Sequence, residues 1–82
     1  MERRYPLYTL LFCRTDDFCV AKSAAFPSDA EATEHARSRL LSMDEDWFSV
    51  VVAQGTDEPL NFIGSWNRDE EGRVTWEAIR IG

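Results

Sequence analysis

The chain has 82 residues, of which 44% are hydrophobic, and its nine basic and fifteen acidic side chains give a formal net charge of −6. This length and hydrophobic content predict one folded domain spanning residues 1–82 rather than a disordered chain. A net negative charge repels phosphate backbones and anionic membranes, so we expect no direct nucleic-acid binding and no membrane binding. We also expect a cytoplasmic protein, because two cysteines are too few for a disulfide framework and no apolar run reaches the roughly 20 residues of a membrane helix.

The chain begins with a predicted β-hairpin. Residues 5–14 and 18–26 are extended segments that contain aromatic and branched side chains, and residues 15–17 are a Thr-Asp-Asp cluster typical of a turn. A three-residue turn at this point would place Cys13 directly opposite Cys19.

A helix is predicted to follow this hairpin. Pro27 ends the second strand, and Ser28 with Glu31 matches a capping box, in which Ser28 accepts a hydrogen bond from an early backbone N–H. The apolar residues that then follow at helical spacing are Ala32, Ala36, Leu40 and Met43. This stripe predicts a helix face that lies close to a sheet at its alanine end and, with Leu41 added, covers a deeper core at its other end.

The rest of the chain predicts three strands, at residues 47–54, 60–66 and 73–81. The last two form a hairpin whose three-residue loop ends at Gly72, a residue suited to a left-handed backbone conformation. That loop length sets Trp66 opposite Trp76 and places Phe62 on the same face as both tryptophans. The isoleucines that fall on the opposite, polar face are Ile63, Ile79 and Ile81.

The resulting element order is ββαβββ, which predicts an α+β fold with an antiparallel five-stranded sheet and one helix packed on one face. One helix cannot cover five strands, so part of the sheet must face water or another chain. The apolar candidates for this uncovered face are Leu7, Leu11, Ile63, Ile79 and Ile81. A homodimer could therefore form through the uncovered sheet face.

Acidic residues are concentrated in loops that this topology predicts at one end of the domain. Antiparallel elements alternate in direction, so the first hairpin turn, the helix-to-strand loop and the last hairpin turn share that end. We call the group the acidic pole; it comprises Asp16, Asp17, Asp44, Glu45, Asp46, Asp69, Glu70 and Glu71. The nearby arginines are Arg14, Arg68 and Arg73, and three arginines against eight carboxylates leave a local charge of −5. Such a pole can steer a basic protein surface, although acidic turns are also typical of a solvated surface.

The three tryptophans are candidate contact residues. Trp47 directly follows the acidic triplet at residues 44–46 and could anchor the same partner. The pair of Trp66 and Trp76 either stabilises the last hairpin within the core or forms an exposed aromatic anchor.

Cys13, Cys19 and His35 are the candidates for chemistry. A nucleophilic pair would need the imidazole within hydrogen-bond reach of a thiol, but His35 lies off the apolar stripe, four residues after Glu31, which favours an exposed side chain. Two opposed thiols could form a disulfide or share a metal, yet their spacing matches no common zinc pattern. We therefore expect no metal and no cofactor, and the sequence contains no Walker loop, dinucleotide fingerprint or nucleophile elbow.

The leading interpretation is a noncatalytic protein-binding module, such as an inhibitor, an immunity-type protein or an adaptor. It would present the acidic pole and Trp47 to a basic protein surface, and in one variant the acidic surface would imitate nucleic acid. Two alternatives stay open. One is a small thiol-dependent enzyme or redox sensor that uses Cys13 and Cys19 with His35, and the other is a homodimeric structural protein.

Overall fold

A computed structural model describes residues 5–57 and 59–79 and has the element order ββαβββ. The elements are β1 (Leu7–Arg14), β2 (Cys19–Ala25), α1 (Asp29–Ser42), β3 (Trp47–Gln54), β4 (Asn61–Arg68) and β5 (Val74–Ala78). The five strands form one sheet in the order β2-β1-β3-β4-β5, and every neighbouring pair is antiparallel. The predicted α+β fold is thereby confirmed.

Helix α1 begins at the predicted cap and packs mainly against the central strand β3. The Ser28 hydroxyl accepts a hydrogen bond of 3.2 Å from the backbone N–H of Glu31. The helix residues that are fully buried are Ala32, Ala36 and Leu40. Leu41 is 48% exposed, contrary to the prediction, because it follows Leu40 by one residue and so points about 100° away from the sheet.

Strands β1 and β3 supply the core beneath the helix. Alternate side chains of each strand point to this face, and the buried ones are Tyr8, Leu10, Phe12, Val50 and Val52. The Tyr8 hydroxyl lies 2.6 Å from a carboxylate oxygen of Asp29 in the first turn of α1, so this buried polar group has a partner. We call the opposite side of the sheet the free face.

Both hairpins have the predicted loop length and register. In the first, Arg14 N–H donates to Phe18 C=O at 2.8 Å, and Cys13 lies opposite Cys19. In the last, Asp69 N–H donates to Arg73 C=O at 2.9 Å, and Trp66 lies opposite Trp76. The third loop residue has a left-handed backbone in each, with φ of 70° at Asp17 and 87° at Gly72.

The tryptophan pair belongs to the helix-covered side of the sheet. The Trp66 indole N–H donates a 2.9 Å hydrogen bond to the Thr33 carbonyl of α1, and its ring centroid lies 5.1 Å from that of Trp76. A Cβ added at Gly64 would overlap Trp76 Cζ2, so the Trp76 ring occupies the space above this glycine. The pair therefore packs against the core and is not a freely exposed anchor.

The faces predicted for Phe62 and Ile63 were wrong. A β-bulge between β3 and β4 shifts the register between Val52 and Ala53, so that Ala53 pairs with Phe62 rather than with Ile63. Phe62 consequently lies on the free face, 45% exposed, and Ile63 is buried in the core at 9%. Of the other residues predicted for the uncovered side, Leu7 and Ile79 are exposed, Leu11 is half-buried, and Ile81 lies outside the described residues.

Candidate functional site

The three acidic loops meet at one end of the domain, as the topology predicts. The N–H of Thr15, in the first hairpin turn, donates a 2.9 Å hydrogen bond to the Asp46 carbonyl in the loop after α1. The Arg68 guanidinium, at the start of the last hairpin loop, donates to the carbonyls of Leu40 at 2.6 Å and Asp44 at 3.0 Å. Each outer loop is thus joined to the central one by hydrogen bonds.

All eight residues of the acidic pole are exposed. Four of them, Glu45, Asp46, Asp69 and Glu70, line one shallow groove of about 440 Å³ between the helix-to-strand loop and the last hairpin loop. Phe48 contributes an apolar side chain to the same groove and is 38% exposed. The structure therefore places a continuous, mostly anionic surface around one exposed aromatic ring.

Three of the aspartates shape the loops that carry them. Asp16 accepts from Phe18 N–H at 3.2 Å, and Asp44 accepts from Asp46 N–H at 3.2 Å. Asp69 accepts from two backbone N–H groups in its hairpin loop, each at 2.9 Å. These carboxylates stabilise turns in the manner usual for aspartate, so they have a structural role independent of any partner.

The other five pole residues have no such role. Across residues 5–57 and 59–79, no side-chain hydrogen bond or ion pair engages their carboxylates, which are those of Asp17, Glu45, Asp46, Glu70 and Glu71. Since they are also exposed, these five side chains are open to a ligand without any loss of internal bonding.

Within residues 5–57 and 59–79, Arg14 is the one arginine near the pole that pairs with a pole carboxylate. The Arg14 guanidinium pairs with Asp16 at 3.2 Å and lies 5.6 Å from the Trp47 ring centroid and 6.0 Å from that of Phe18. Arg68 donates to main-chain carbonyls at the C-terminal end of α1, where the helix dipole is negative. Arg68 therefore stabilises the helix end. The sequence predicts that it offsets the charge of pole carboxylates, but its hydrogen bonds are to main-chain carbonyls.

The sequence predicts Trp47 as the aromatic contact residue beside the acidic pole. In the structure, Trp47 packs against the core and Phe48 lines the acidic groove. Trp47 is half-buried, packs against the core and contacts the Phe18 ring edge-on at 6.2 Å. Phe48 is exposed because the register between β1 and β3 shifts at this point, where Cys13 pairs with Ser49 but Arg14 pairs with Trp47. Sequence reasoning missed Phe48, and no local pattern signals such an irregularity.

The structure does not bring His35 to the two thiols. His35 lies on α1, with its ring 5.0 Å from that of Phe26, whereas Cys13 and Cys19 lie on the free face. Both cysteines are free, Cys13 half-buried and Cys19 exposed. Burial raises the pKa of the Cys13 thiol to about 11, with a further contribution from the neighbouring Cys19 thiol. The sheet thus separates the imidazole from the groups that it would have to activate.

A second surface, on the free face, is apolar. It is a groove of about 320 Å³ whose lining includes Leu11, Val51, Leu60 and the exposed Phe62. None of its lining residues is charged, and its only polar side chains are those of Thr9 and Thr56.

Neither a metal centre nor a membrane-spanning helix is found in the described part of the chain. No three His, Cys, Asp or Glu side chains within it are grouped so as to hold an ion, and its helix is too short to cross a bilayer. Comparison with known proteins finds no matching family model, curated protein or solved structure. The candidate site must therefore be interpreted from its own geometry.

Proposed function

We propose that this protein is a noncatalytic binding module whose acidic pole docks onto a basic surface of another protein. The observation that carries the proposal is the gathering of eight exposed carboxylates from three loops, four of which line one groove. Only Asp16 among them is ion-paired within residues 5–57 and 59–79. The pole therefore keeps most of its negative charge available to a partner.

Electrostatics and shape favour this role over catalysis. A surface of one charge sign accelerates association with an oppositely charged partner and disfavours like-charged ones. Exposed carboxylates with no desolvating pocket are poor acids and bases for catalysis. The ring of Phe48, within the acidic groove, supplies an apolar contact of the kind that strengthens an interface once charges have oriented it.

The basic partner could be a nucleic-acid-binding protein. Carboxylates spread over three loops can occupy the arginines and lysines that such a protein uses for phosphates. In that variant of the proposal, added DNA or RNA competes with this protein for the partner.

Affinity capture from a lysate tests the proposal when the tagged protein is compared with two charge variants. The pole variant carries Glu45→Gln, Asp46→Asn, Glu70→Gln and Glu71→Gln, and leaves the turn-forming aspartates intact. The control variant carries the same number of neutralised charges elsewhere: Glu31→Gln, Glu34→Gln, Asp57→Asn and Glu77→Gln. Both variants have the same net charge, so a difference between them reports the position of the charges.

We expect a basic protein to be retained by the wild type and by the control variant, to elute at moderate salt, and to be absent from the pole variant. Salt elution is expected because added salt screens the attraction between exposed charges. The screening length is about 8 Å at physiological ionic strength and becomes shorter as salt is added. Equal retention by all three proteins, or no specific partner for any of them, contradicts the proposal. Displacement by added DNA identifies the partner as a nucleic-acid-binding protein.

Self-association through the free face is a second candidate, supported by its uncharged groove and the exposed Phe62. Sedimentation velocity of the same three proteins distinguishes it. Self-association through the apolar groove predicts a dimer that the pole variant retains, since none of its four altered residues lines that groove.

A further inference from the structure

The two thiols of the first hairpin lie within disulfide-forming reach of each other. Hydrogen bonds from Arg14 N–H to Phe18 C=O and from Phe26 N–H to Pro6 C=O mark alternate pairs of the β1–β2 ladder. Cys13 and Cys19 are therefore a non-hydrogen-bonded pair, in which the Cα atoms are about 4.5 Å apart and the side chains are closest. Disulfides join cysteines whose Cα atoms are about 4.4 to 6.8 Å apart, so a pair of this type meets the Cα requirement for a disulfide.

The two thiols differ in access to solvent. Cys19 is exposed on the edge strand β2, and its thiol lies 4.0 Å from the Asp17 carbonyl. Cys13 is half-buried on the adjacent strand, where desolvation raises the pKa of its thiol. A small reagent in solution therefore meets Cys19 first, and Cys13 is placed to react with whatever Cys19 has bound.

We propose that Cys13 and Cys19 are a redox modification site that forms a reversible intramolecular disulfide by exchange with a low-molecular-weight disulfide of the glutathione class. The Cys19 thiolate attacks one sulfur of the small disulfide, forms a mixed disulfide and releases one small thiolate. Cys13 gives up its proton and attacks the Cys19 sulfur, which forms the Cys13–Cys19 bond and releases the second small thiolate. The protein loses two protons and two electrons, and the small disulfide is reduced to two thiols.

Exposure of Cys19 makes this disulfide reversible. A small thiolate can reach the exposed sulfur, and exposed disulfides are reduced more readily than buried structural ones. When formed, the bond closes a ring around residues 14–18, which include two residues of the acidic pole. The proposal does not depend on any partner of that pole, and its test requires none.

The test is a titration of the whole protein in buffers of reduced and oxidised glutathione, followed by rapid alkylation and intact-mass measurement. We expect both free thiols to be lost together, with the loss of two hydrogen atoms from the mass, no bound glutathione and no change in monomer size. Excess reduced glutathione should restore both thiols. The Cys13→Ser variant should instead accumulate one glutathione on Cys19, and Cys19→Ser should react more slowly because its remaining thiol is half-buried.

Three results on the wild-type protein would overturn the proposal. One is a stable glutathione adduct on Cys19 in place of the internal bond, and another is a disulfide-linked dimer. The third is that both thiols stay reduced at every ratio of oxidised to reduced glutathione and form a disulfide only after the protein is unfolded in urea. Because these readouts use the unaltered chain, they do not depend on the stability of either serine variant.

Discussion

The first and last hairpins of this protein turn in the same way but differ in what their strands bury. Each has a three-residue loop whose final residue is left-handed, Asp17 in one and Gly72 in the other. The fourth cross-strand pair from the loop is Leu11–Ala21 in the first hairpin and Trp66–Trp76 in the last. The first pair lies on the free face, and the second lies beside the helix.

This difference shows that loop geometry sets the register of a hairpin, whereas packing of the helix on the sheet determines how much each cross-strand pair contributes to stability. Side chains in both pairs are equally close across the strands, because both are non-hydrogen-bonded pairs. Trp66 has in addition a hydrogen bond to α1 and a contact with the Trp76 ring, which is tilted by 56° relative to it. Leu11 has only the neighbours of an open groove.

The largest expected effect compares Trp66→Ala with Leu11→Ala at these equivalent positions. We expect Trp66→Ala to lower the free energy of unfolding by about 3 kcal/mol, since it removes a large half-buried ring and leaves the Trp76 ring without its partner. Leu11→Ala should cost about 1 kcal/mol, because much of this side chain remains in contact with water. Urea unfolding followed by circular dichroism measures both values. Similar losses would mean that the free face is covered in solution, for example by a second copy.

A smaller effect is expected from replacing the third residue of each hairpin loop. Gly72→Ala should destabilise the protein by about 1 kcal/mol, because alanine is strained at the φ of 87° found there. Nothing lies within 4 Å of the added Cβ, so the loss would report backbone strain alone. Asp17→Gly should leave stability unchanged or raise it slightly, since the native residue already has φ of 70°. Matched urea midpoints for Gly72→Ala and wild type would contradict the left-handed assignment of the last hairpin.

The smallest expected effect is a pH dependence specific to Cys13. Burial, and secondarily Cys19, raises the pKa of its thiol from 9.0 to about 11. The folded chain therefore retains a proton that the unfolded chain loses, and this contribution to stability is complete below pH 9.0 and lost as the pH rises to about 11. The stability of wild type relative to Cys13→Ala should accordingly fall across that window. The check is to measure the urea midpoints of both proteins below, within and above this pH window. If the thiol were not desolvated, the midpoints of wild type and Cys13→Ala would change with pH in parallel.

Much of the fold could be predicted because its signals are local. The cap at Ser28, the loop that ends at Gly72 and the β-branched run at the centre of β3 each depend on residues only a few positions apart. The gathering of the acidic loops also followed from sequence, because antiparallel connections alternate between the two ends of a sheet. The topology alone was enough to predict where the carboxylates lie. Their function as a docking surface stays a prediction.

The irregularities could not be predicted, because each depends on contacts between distant segments. The bulge that buries Ile63 and exposes Phe62 arises where β4 pairs with β3, and the shift that exposes Phe48 arises where β1 pairs with β3. One extra residue reverses the alternation of the whole strand beyond it.

The sequence by itself determined the order of elements, both hairpin registers, the helix stripe and the location of the negative charge, because short-range backbone and solvation preferences specify these. Only the tertiary structure decided that Arg68 binds the carbonyls at the end of α1 and that Phe48, rather than Trp47, lines the acidic groove. It likewise decided that His35 lies across the sheet from Cys13 and Cys19. These arrangements depend on how the helix and the strands pack together, and packing is a property of the assembled domain rather than of any one segment.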